Sequence, residues 1–236
     1  MHRESSHSLE HWRMSKDNRG FLDHFDGDTI NLDRFAVDGD TGTTNFAQRV
    51  GDATGTYVRG QTATDDNEGV IIYTPAHYFG DKDCGMEVAF KTDVVTNLHF
   101  EIGFVDALTD KTLGAINDID TPTLTNGAGD AAFVCMDTDQ TLTTMALVTV
   151  GSGAIAAAGK VDISTLAPTA DTLMVVRIQL LGNNVVAIVN DNKTYEVFRA
   201  PAIEGGTAVF AYAYFQNRSA AEHIVDIDWF ETWGDR

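Results

Sequence analysis

The sequence is poor in cysteine and proline. Its 236 residues include two cysteines, Cys84 and Cys135, both in apolar, strand-like stretches, and only four prolines. Neither cysteine has a CxxC partner, so this pattern excludes a zinc or redox site of that kind. Two buried thiols are the simpler interpretation, and the spacing alone does not decide whether the cysteines pair.

Basic residues are also scarce, because 16 Lys and Arg stand against 35 Asp and Glu and the net charge is -19. Such a surface repels phosphates and anionic lipid headgroups, so we expect no nucleic-acid or membrane partner. No stretch reaches the roughly 18 apolar residues of a membrane span. The N-terminus lacks the apolar core of a signal peptide. We therefore expect a soluble protein made in the cytoplasm.

Alternation of apolar and polar residues is the strongest pattern that the chain does contain. His99 and Glu101 fall on the polar face of one such stretch, and Gly182 to Asn184 predict a tight hairpin turn. We predict ten or more strands, no amphipathic helix and one all-β domain over residues 21–236. The apolar positions that alternate most clearly are Met86, Val88, Phe90, Leu98, Phe100, Ile102 and Phe104.

A resemblance to a known superfamily follows from three segments. Residues 21–28 with 32–35, the hairpin segment 185–193 and the last strand resemble concanavalin A-like lectins and glucanases. The resemblance implies a two-sheet antiparallel jelly-roll sandwich. Residues 1–20 differ from the rest in charge, and we expect them to form an extended N-terminal arm. Residues 106–129 are rich in Thr, Asp and Gly, and we expect them to form a long surface loop.

Some members of that superfamily are retaining glycosidases with a Glu-x-Asp-x-(x)-Glu strand. Here Asp226 stands where the first Glu should be, followed by Asp228 and Glu231. Its carboxylate is one methylene shorter, and a displacement of about 1 Å can lower a rate about a hundredfold. We therefore predict no enzyme and no catalytic residue.

Strand alternation gives a second reason against catalysis by this segment. Asp226, Asp228 and Phe230 would share one face, and Glu231 would point towards the core unless a bulge intervenes. The residues that the alternation assigns to the core are Val225, Ile227, Trp229 and Trp233.

Two short acidic segments, Asp38-Gly39-Asp40 and Asp65-Asp66-Asn67-Glu68, carry the oxygen ligands that Ca²⁺ prefers. Neither matches an EF-hand, and solvated Asx turns are the alternative. We predict no cofactor and no metal-ligating residue, with Ca²⁺ left open. Sugar binding would need exposed aromatic side chains, although strand aromatics more often lie in the core. The candidates are Tyr57, Tyr73, Tyr78 and Phe79.

A second resemblance concerns function. Residues 102–106, 127–134 and 144–148 resemble jelly-roll structural proteins of tailed phages, which decorate heads or form fibres. The resemblance implies a virion protein, a capsid decoration protein bound to the major capsid protein and to copies of itself. The alternative is a lectin-like carbohydrate-binding module of a phage or bacterial adhesion protein, with a glycan as its ligand.

The N-terminal arm would provide the subunit contacts. Residues 1–20 carry a local charge of +1, against -20 for the remainder, which together give -19. Trp and Arg dominate the energetics of protein interfaces, and a frayed terminus is the alternative. The candidate interface residues are Trp12, Arg13, Lys16 and Arg19.

Overall fold

The computed structural model of the chain describes residues 21–25, 30–52, 55–75, 78–116, 124–139, 144–151, 160–163, 168–181, 184–189, 194–199, 203–204 and 206–234. These residues form sixteen strands in two antiparallel sheets packed as a sandwich. The described part of the chain contains no helix. It therefore has no helix that is long and apolar enough to cross a membrane. The predicted all-β jelly-roll sandwich is confirmed.

Sheet A has eight strands in the spatial order β14-β13-β12-β7-β16-β4-β3, with β1 paired to β16. The closing strand β16 therefore lies near the middle of this sheet, between β7 and β4. The bounds are β1 Phe21–Asp23, β3 Thr44–Asp52, β4 Gly55–Gln61, β7 Cys84–Thr92, β12 Met174–Leu181, β13 Asn184–Val189, β14 Thr194–Arg199 and β16 Ile224–Gly234.

Sheet B also has eight strands, in the order β11-β10-β9-β8-β15-β5-β2, with β6 paired to β15. At the edges of the sandwich β2 contacts β3 and β11 contacts β14, so the sheets meet on both sides. The bounds are β2 Ala36–Gly39, β5 Gly69–Tyr73, β6 Tyr78–Phe79, β8 Leu98–Val105, β9 Ala131–Asp137, β10 Met145–Val150, β11 Lys160–Ile163 and β15 Ala208–Asn217.

The main core lies between the two sheets. The Phe90 ring of sheet A packs 5.4 Å from Phe100 and 5.2 Å from Phe215 of sheet B, measured between ring centroids. Each ring is fully buried, which stabilises the fold by roughly 1.5–3 kcal/mol per side chain. Tyr78 is also buried here and donates a 2.6 Å hydrogen bond from its hydroxyl to the Thr232 hydroxyl. The predicted inward positions of β7 and β8 are all buried, so that prediction is confirmed.

The predicted facing of the last strand is wrong at Trp229 and Trp233. A β-bulge between Ile227 and Trp229 shifts the register of β16 against β7. Because a one-residue shift moves every later side chain to the other face, Phe230 enters the core and Trp229 leaves it. Glu231 lies opposite Glu87 and shares the outer face with both tryptophans.

Residues 106–116 and 124–130, which we call the strap, connect β8 to β9 across the outer face of sheet B. The sequence predicted a surface loop here, but the strap buries its own apolar side chains, Leu108, Ala115 and Ile116. Asn126 lies between its limbs and donates to the carbonyls of Asp110 and Leu113 at 2.6 and 2.7 Å. The core cluster therefore continues through sheet B into the strap.

Candidate functional site

The outer face of sheet A carries a row of charged side chains across three strands. Arg59 of β4 donates two hydrogen bonds to Asp226 of β16, at 2.6 and 2.8 Å. The Lys91 amine of β7 lies 3.6 Å from the same carboxylate. Both cations also lie over the Tyr57 ring, at 5.3 and 5.2 Å from its centroid. Asp226 is thus held between two cations, which stay partly exposed at 29% and 34% of their side-chain surface.

A second row lies closer to the end of β16. Arg177 of β12 donates to Glu87 of β7 at 2.6 Å, and the two residues also face each other in the strand register. The Trp229 indole donates to the other oxygen of Glu87 at 3.2 Å. The guanidinium of Arg177 lies 5.9 Å from the Trp233 ring. Arg59 and Lys91 both lie opposite Asp226, and Arg177 lies opposite Glu87. The alternation of side chains along each strand places the remaining members on the same face.

We call this surface the sheet A face, and it combines aromatic rings with charges of fixed position. Trp229 is half-buried, whereas Tyr57 and Trp233 are buried beneath their neighbours. An aromatic ring can stack on the apolar face of a ligand, and paired Arg and Asp side chains can hydrogen-bond its polar groups. The face consists of Tyr57, Arg59, Glu87, Lys91, Arg177, Asp226, Trp229 and Trp233.

The outer face of sheet B presents a contrasting cluster, which the strap covers. Glu101 of β8 is fully buried and accepts the backbone N–H of Ala115 at 2.7 Å and that of Ile116 at 3.0 Å. The Tyr212 hydroxyl donates to it at 2.8 Å. Both carboxylate oxygens of Glu101 therefore accept hydrogen bonds from backbone N–H groups of the strap.

His99 links Glu101 to a second buried carboxylate. Its Nε2 lies 3.1 Å from Glu101, and its Nδ1 lies 3.3 Å from Asp137 of β9. Asp137 in turn accepts a 2.6 Å hydrogen bond from Arg218. Two carboxylates and two basic groups therefore alternate along the chain of contacts. We call His99, Glu101, Asp137, Tyr212 and Arg218 the buried charge cluster.

These contacts shift the pKa values of two members of the cluster. Burial by itself lowers the pKa of His99, but hydrogen bonds to Asp137 and Glu101 outweigh it and raise that pKa. Burial would raise the pKa of Asp137, but His99 and Arg218 lower it. His99 therefore favours the imidazolium form in the folded protein, and Asp137 favours the carboxylate.

The predicted aromatic candidates are not brought together. Tyr57 belongs to the sheet A face, whereas Tyr73 lies on sheet B, 5.6 Å from Phe210 and beneath Lys111 of the strap. Tyr78 points into the core, and Phe79 is half-buried in β6. Tyr57 and Tyr73 thus place their rings on the outer faces of opposite sheets.

The acidic segments behave as turns at their backbone. Asp38 accepts the N–H of Gly39 at 2.9 Å, and Asp40 accepts the N–H of Thr41 at 2.8 Å. The two segments do approach each other, since burial and then repulsion from Asp65 and Asp40 raise the pKa of Glu68. Across the described residues, however, no three His, Cys, Asp or Glu side chains are placed to hold a metal ion.

The structure also places the two cysteines but not the candidate interface residues. Cys84 and Cys135 are both buried and do not form a disulfide. Burial and then the charge of Glu101 raise the pKa of the Cys135 thiol, which makes it a poor nucleophile. The candidate interface residues Trp12, Arg13, Lys16 and Arg19 lie outside the described residues.

Sequence reasoning missed most of the sheet A face. A signal was present, because Glu87, Lys91 and Arg177 interrupt otherwise apolar strands at outward positions. Pairing between them could not be inferred, since β7 and β12 are far apart in the chain and meet only in the sheet. The prediction placed Trp229 and Trp233 on the core face because it did not include the bulge that precedes them.

No protein-family description matches this chain, and no curated protein sequence matches it either. The fold does resemble solved structures. Protein SO2946 of Shewanella oneidensis MR-1, of unknown function, has 13% identity and a TM-score of 0.61, with 99% of this chain and 95% of that chain covered.

Two further structures have names that indicate what they act on or bind. A β-1,3-glucanase of Mycobacterium marinum is 11% identical, with a TM-score of 0.58 over 90% of this chain and 97% of that one. The exoplasmic/lumenal domain of VIP36, in a Ca²⁺/Man2-bound form, is 11% identical, with a TM-score of 0.55 over 93% and 90%. At these identities the likeness shows the concanavalin A-like fold alone.

Proposed function

We propose that this protein is a non-catalytic glycan-binding module whose recognition surface is the sheet A face. The observation that carries the proposal is the half-exposed Trp229 indole beside the fixed Arg59–Asp226 and Arg177–Glu87 pairs. Sugars present apolar C–H faces and hydroxyl groups, and this surface offers a ring for the former and the partly exposed Arg59 and Lys91 for the latter. The fold shared with Man2-bound VIP36 is consistent with the proposal.

A non-catalytic role is favoured by the state of the carboxylates. Asp226, the first acidic residue of the predicted near-motif, is held by Arg59 and Lys91. Glu101 already accepts two backbone N–H groups and a tyrosine hydroxyl, and the strap keeps it from solvent. A general acid or nucleophile must reach its substrate, so neither carboxylate is placed for hydrolysis. We expect no reducing sugar to be released from a β-1,3-glucan.

The test is a glycan array followed by calorimetry on the best ligand. Trp229→Ala should weaken the affinity at least about tenfold, which corresponds to about 1.4 kcal/mol. Tyr73→Ala is the matched control, because it removes an aromatic ring from the other outer face and should leave the affinity unchanged. Circular dichroism should confirm that both variants fold. Silence on the array, or equal affinities for the wild type and Trp229→Ala, would overturn the proposal.

The capsid-decoration interpretation depends on sequence resemblance alone and stays a prediction, as does the virion location. None of the three structures named above is a capsid protein by its description. Mass spectrometry of purified particles would test the location. Deleting residues 1–20 should lower the affinity for particles if Trp12 and Arg13 contact a neighbouring subunit.

A further inference from the structure

We propose that the strap is a pH-sensitive cover of sheet B, which the protonated imidazole of His99 holds closed. This inference is independent of the glycan proposal, because it concerns the opposite sheet. The strap is anchored on Glu101, the same carboxylate that His99 contacts, so the charge of the imidazole acts on that anchor.

The strap is attached to sheet B at three kinds of contact. Its amides at Ala115 and Ile116 donate to Glu101. Its Thr112 carbonyl accepts the Tyr214 hydroxyl at 2.9 Å. Lys111 lies 4.8 Å from the centroid of the Phe210 ring. Gly114 passes so close to Glu101 that an added Cβ would lie 2.6 Å from its Oε1, so the strap and the carboxylate fit without intervening space.

The two limbs of the strap are joined, so that it can move as one unit. At its base, Gly129 donates to the Asp106 carboxylate at 2.9 Å, and Asp106 donates from its backbone to the Asp130 carbonyl at 3.0 Å. Further along, the Thr125 N–H donates to the Ala115 carbonyl at 2.9 Å. Weaker hydrogen bonding at Glu101 would therefore loosen both limbs of the strap.

The net charge of the groups around His99 depends on whether its imidazole is protonated. In the strap, Asp110 accepts hydrogen bonds from Thr112, and Lys111 donates to the Leu108 carbonyl. The groups that face His99 or the carboxylates beside it are Glu101 of β8, Cys135 and Asp137 of β9, Tyr212 and Tyr214 of β15, and Arg218 after β15.

When the imidazole is protonated, two buried carboxylates face two cations. When it loses the proton, Arg218 is left as the single cation for both Glu101 and Asp137 in this cluster. An uncompensated buried carboxylate is costly, and water can relieve that cost only by reaching Glu101. Opening of the strap provides the route, and it exposes Tyr212 and Tyr214, which are fully buried in the closed form.

The experiment is hydrogen exchange of the intact protein across a pH series, with rates corrected for the intrinsic effect of pH. Peptides covering residues 107–116 report the strap, and peptides covering β7 report the main core. Protection of the strap should fall as the pH rises through the midpoint at which His99 titrates. NMR of the His99 ring measures that midpoint. By linkage the loss is about tenfold for each pH unit by which closure raises the imidazole pKa. Protection of β7 should not change over that range.

Two variants distinguish the effect of His99 on strap protection from that of another buried histidine. His99→Gln should give a strap that exchanges fast at every pH, with no titration step. His223→Gln is the matched control, since His223 is equally buried but contacts the Asn97 carbonyl instead of Glu101, and it should keep the wild-type pH dependence. A wild-type strap whose protection stays constant while His99 titrates would overturn the proposal, even if His99→Gln fails to fold.

Tryptic cleavage provides an independent readout. Lys111, in the strap, is the single Lys or Arg between Lys91 and Lys160. Cleavage after Lys111, relative to a short peptide of the same local sequence, should accelerate above the His99 midpoint in the wild type and in His223→Gln. In His99→Gln the relative rate should not depend on pH. An identical pH profile in both variants would contradict a role for His99.

Discussion

The two outer faces of this sandwich are built by the same strand alternation, yet they hold their charges in different surroundings. On sheet A, Arg59 and Lys91 keep 29% and 34% of their side chains exposed. On sheet B, His99 and Glu101 are 1% and 0% exposed beneath the strap. Charges beside water can be solvated if a partner is lost, whereas covered charges depend on their partners. The strap therefore makes His99 and Glu101 depend on their protein partners, whereas Arg59 and Lys91 can turn to water.

The largest expected effect comes from breaking the covered network. Glu101→Gln replaces a carboxylate that accepts from two strap amides with a carboxamide, whose NH2 group is a donor. The change also removes one of the two carboxylates that contact His99. We expect the free energy of unfolding to fall by about 3–5 kcal/mol. The matched change on the other face is Asp226→Asn, where partly exposed cations can turn to water, and we expect a loss of about 1 kcal/mol. Urea unfolding of both variants measures the difference, and equal losses would contradict the comparison.

The apolar side of the strap gives the next effect. Within the strap, the Ile116 side chain is 2% exposed, whereas the Leu113 side chain is 41% exposed. Ile116→Ala should lower the free energy of unfolding by about 3 kcal/mol, because a cavity is left behind. Leu113→Ala should change it by less than about 0.5 kcal/mol. Thermal unfolding can compare the two, and similar stabilities would show that the strap is not packed.

On each outer face, one aromatic ring packs closely against one glycine. A Cβ added at Gly69 would lie 2.5 Å from the Tyr214 ring of sheet B, and one added at Gly85 would lie 2.3 Å from the Trp233 ring of sheet A. Each substitution by Ala forces a shift that costs roughly 1–3 kcal/mol. Tyr214 is fully buried and bonded to Thr112, so Gly69→Ala should be the more harmful. Denaturant midpoints in the opposite order would indicate that the strap yields easily.

The smallest effect should be the pH dependence of overall stability. The folded pKa of His99 is raised above 6.5, so its contribution is complete below that pH and is lost as the pH rises through the folded value. The folded pKa of Asp137 is lowered below 3.8, so its contribution is present above that pH and is lost on acidification. Urea unfolding across pH should show both limbs. His99→Gln should remove the alkaline limb, whereas Arg59→Gln should keep it.

Much of the fold could be predicted because alternation is a local property. The inward positions of β7 and β8 follow from residues two apart, and their burial confirms them. The bulge in β16 could not be predicted, because it depends on how Asp228 is accommodated opposite β7, a strand more than a hundred residues away. That single shift placed Trp229 in the candidate site instead of the core.

The sequence by itself determined the strands, the acidic surface and the polar positions of His99 and Glu101. It could not decide whether these two residues face water or protein. Only the tertiary structure decided that, by bringing Ala115 and Ile116 over Glu101 and Asp137 beside His99. The physical reason is that burial of a charged side chain depends on distant segments that cover and compensate it, whereas strand formation depends mainly on its neighbours in the chain.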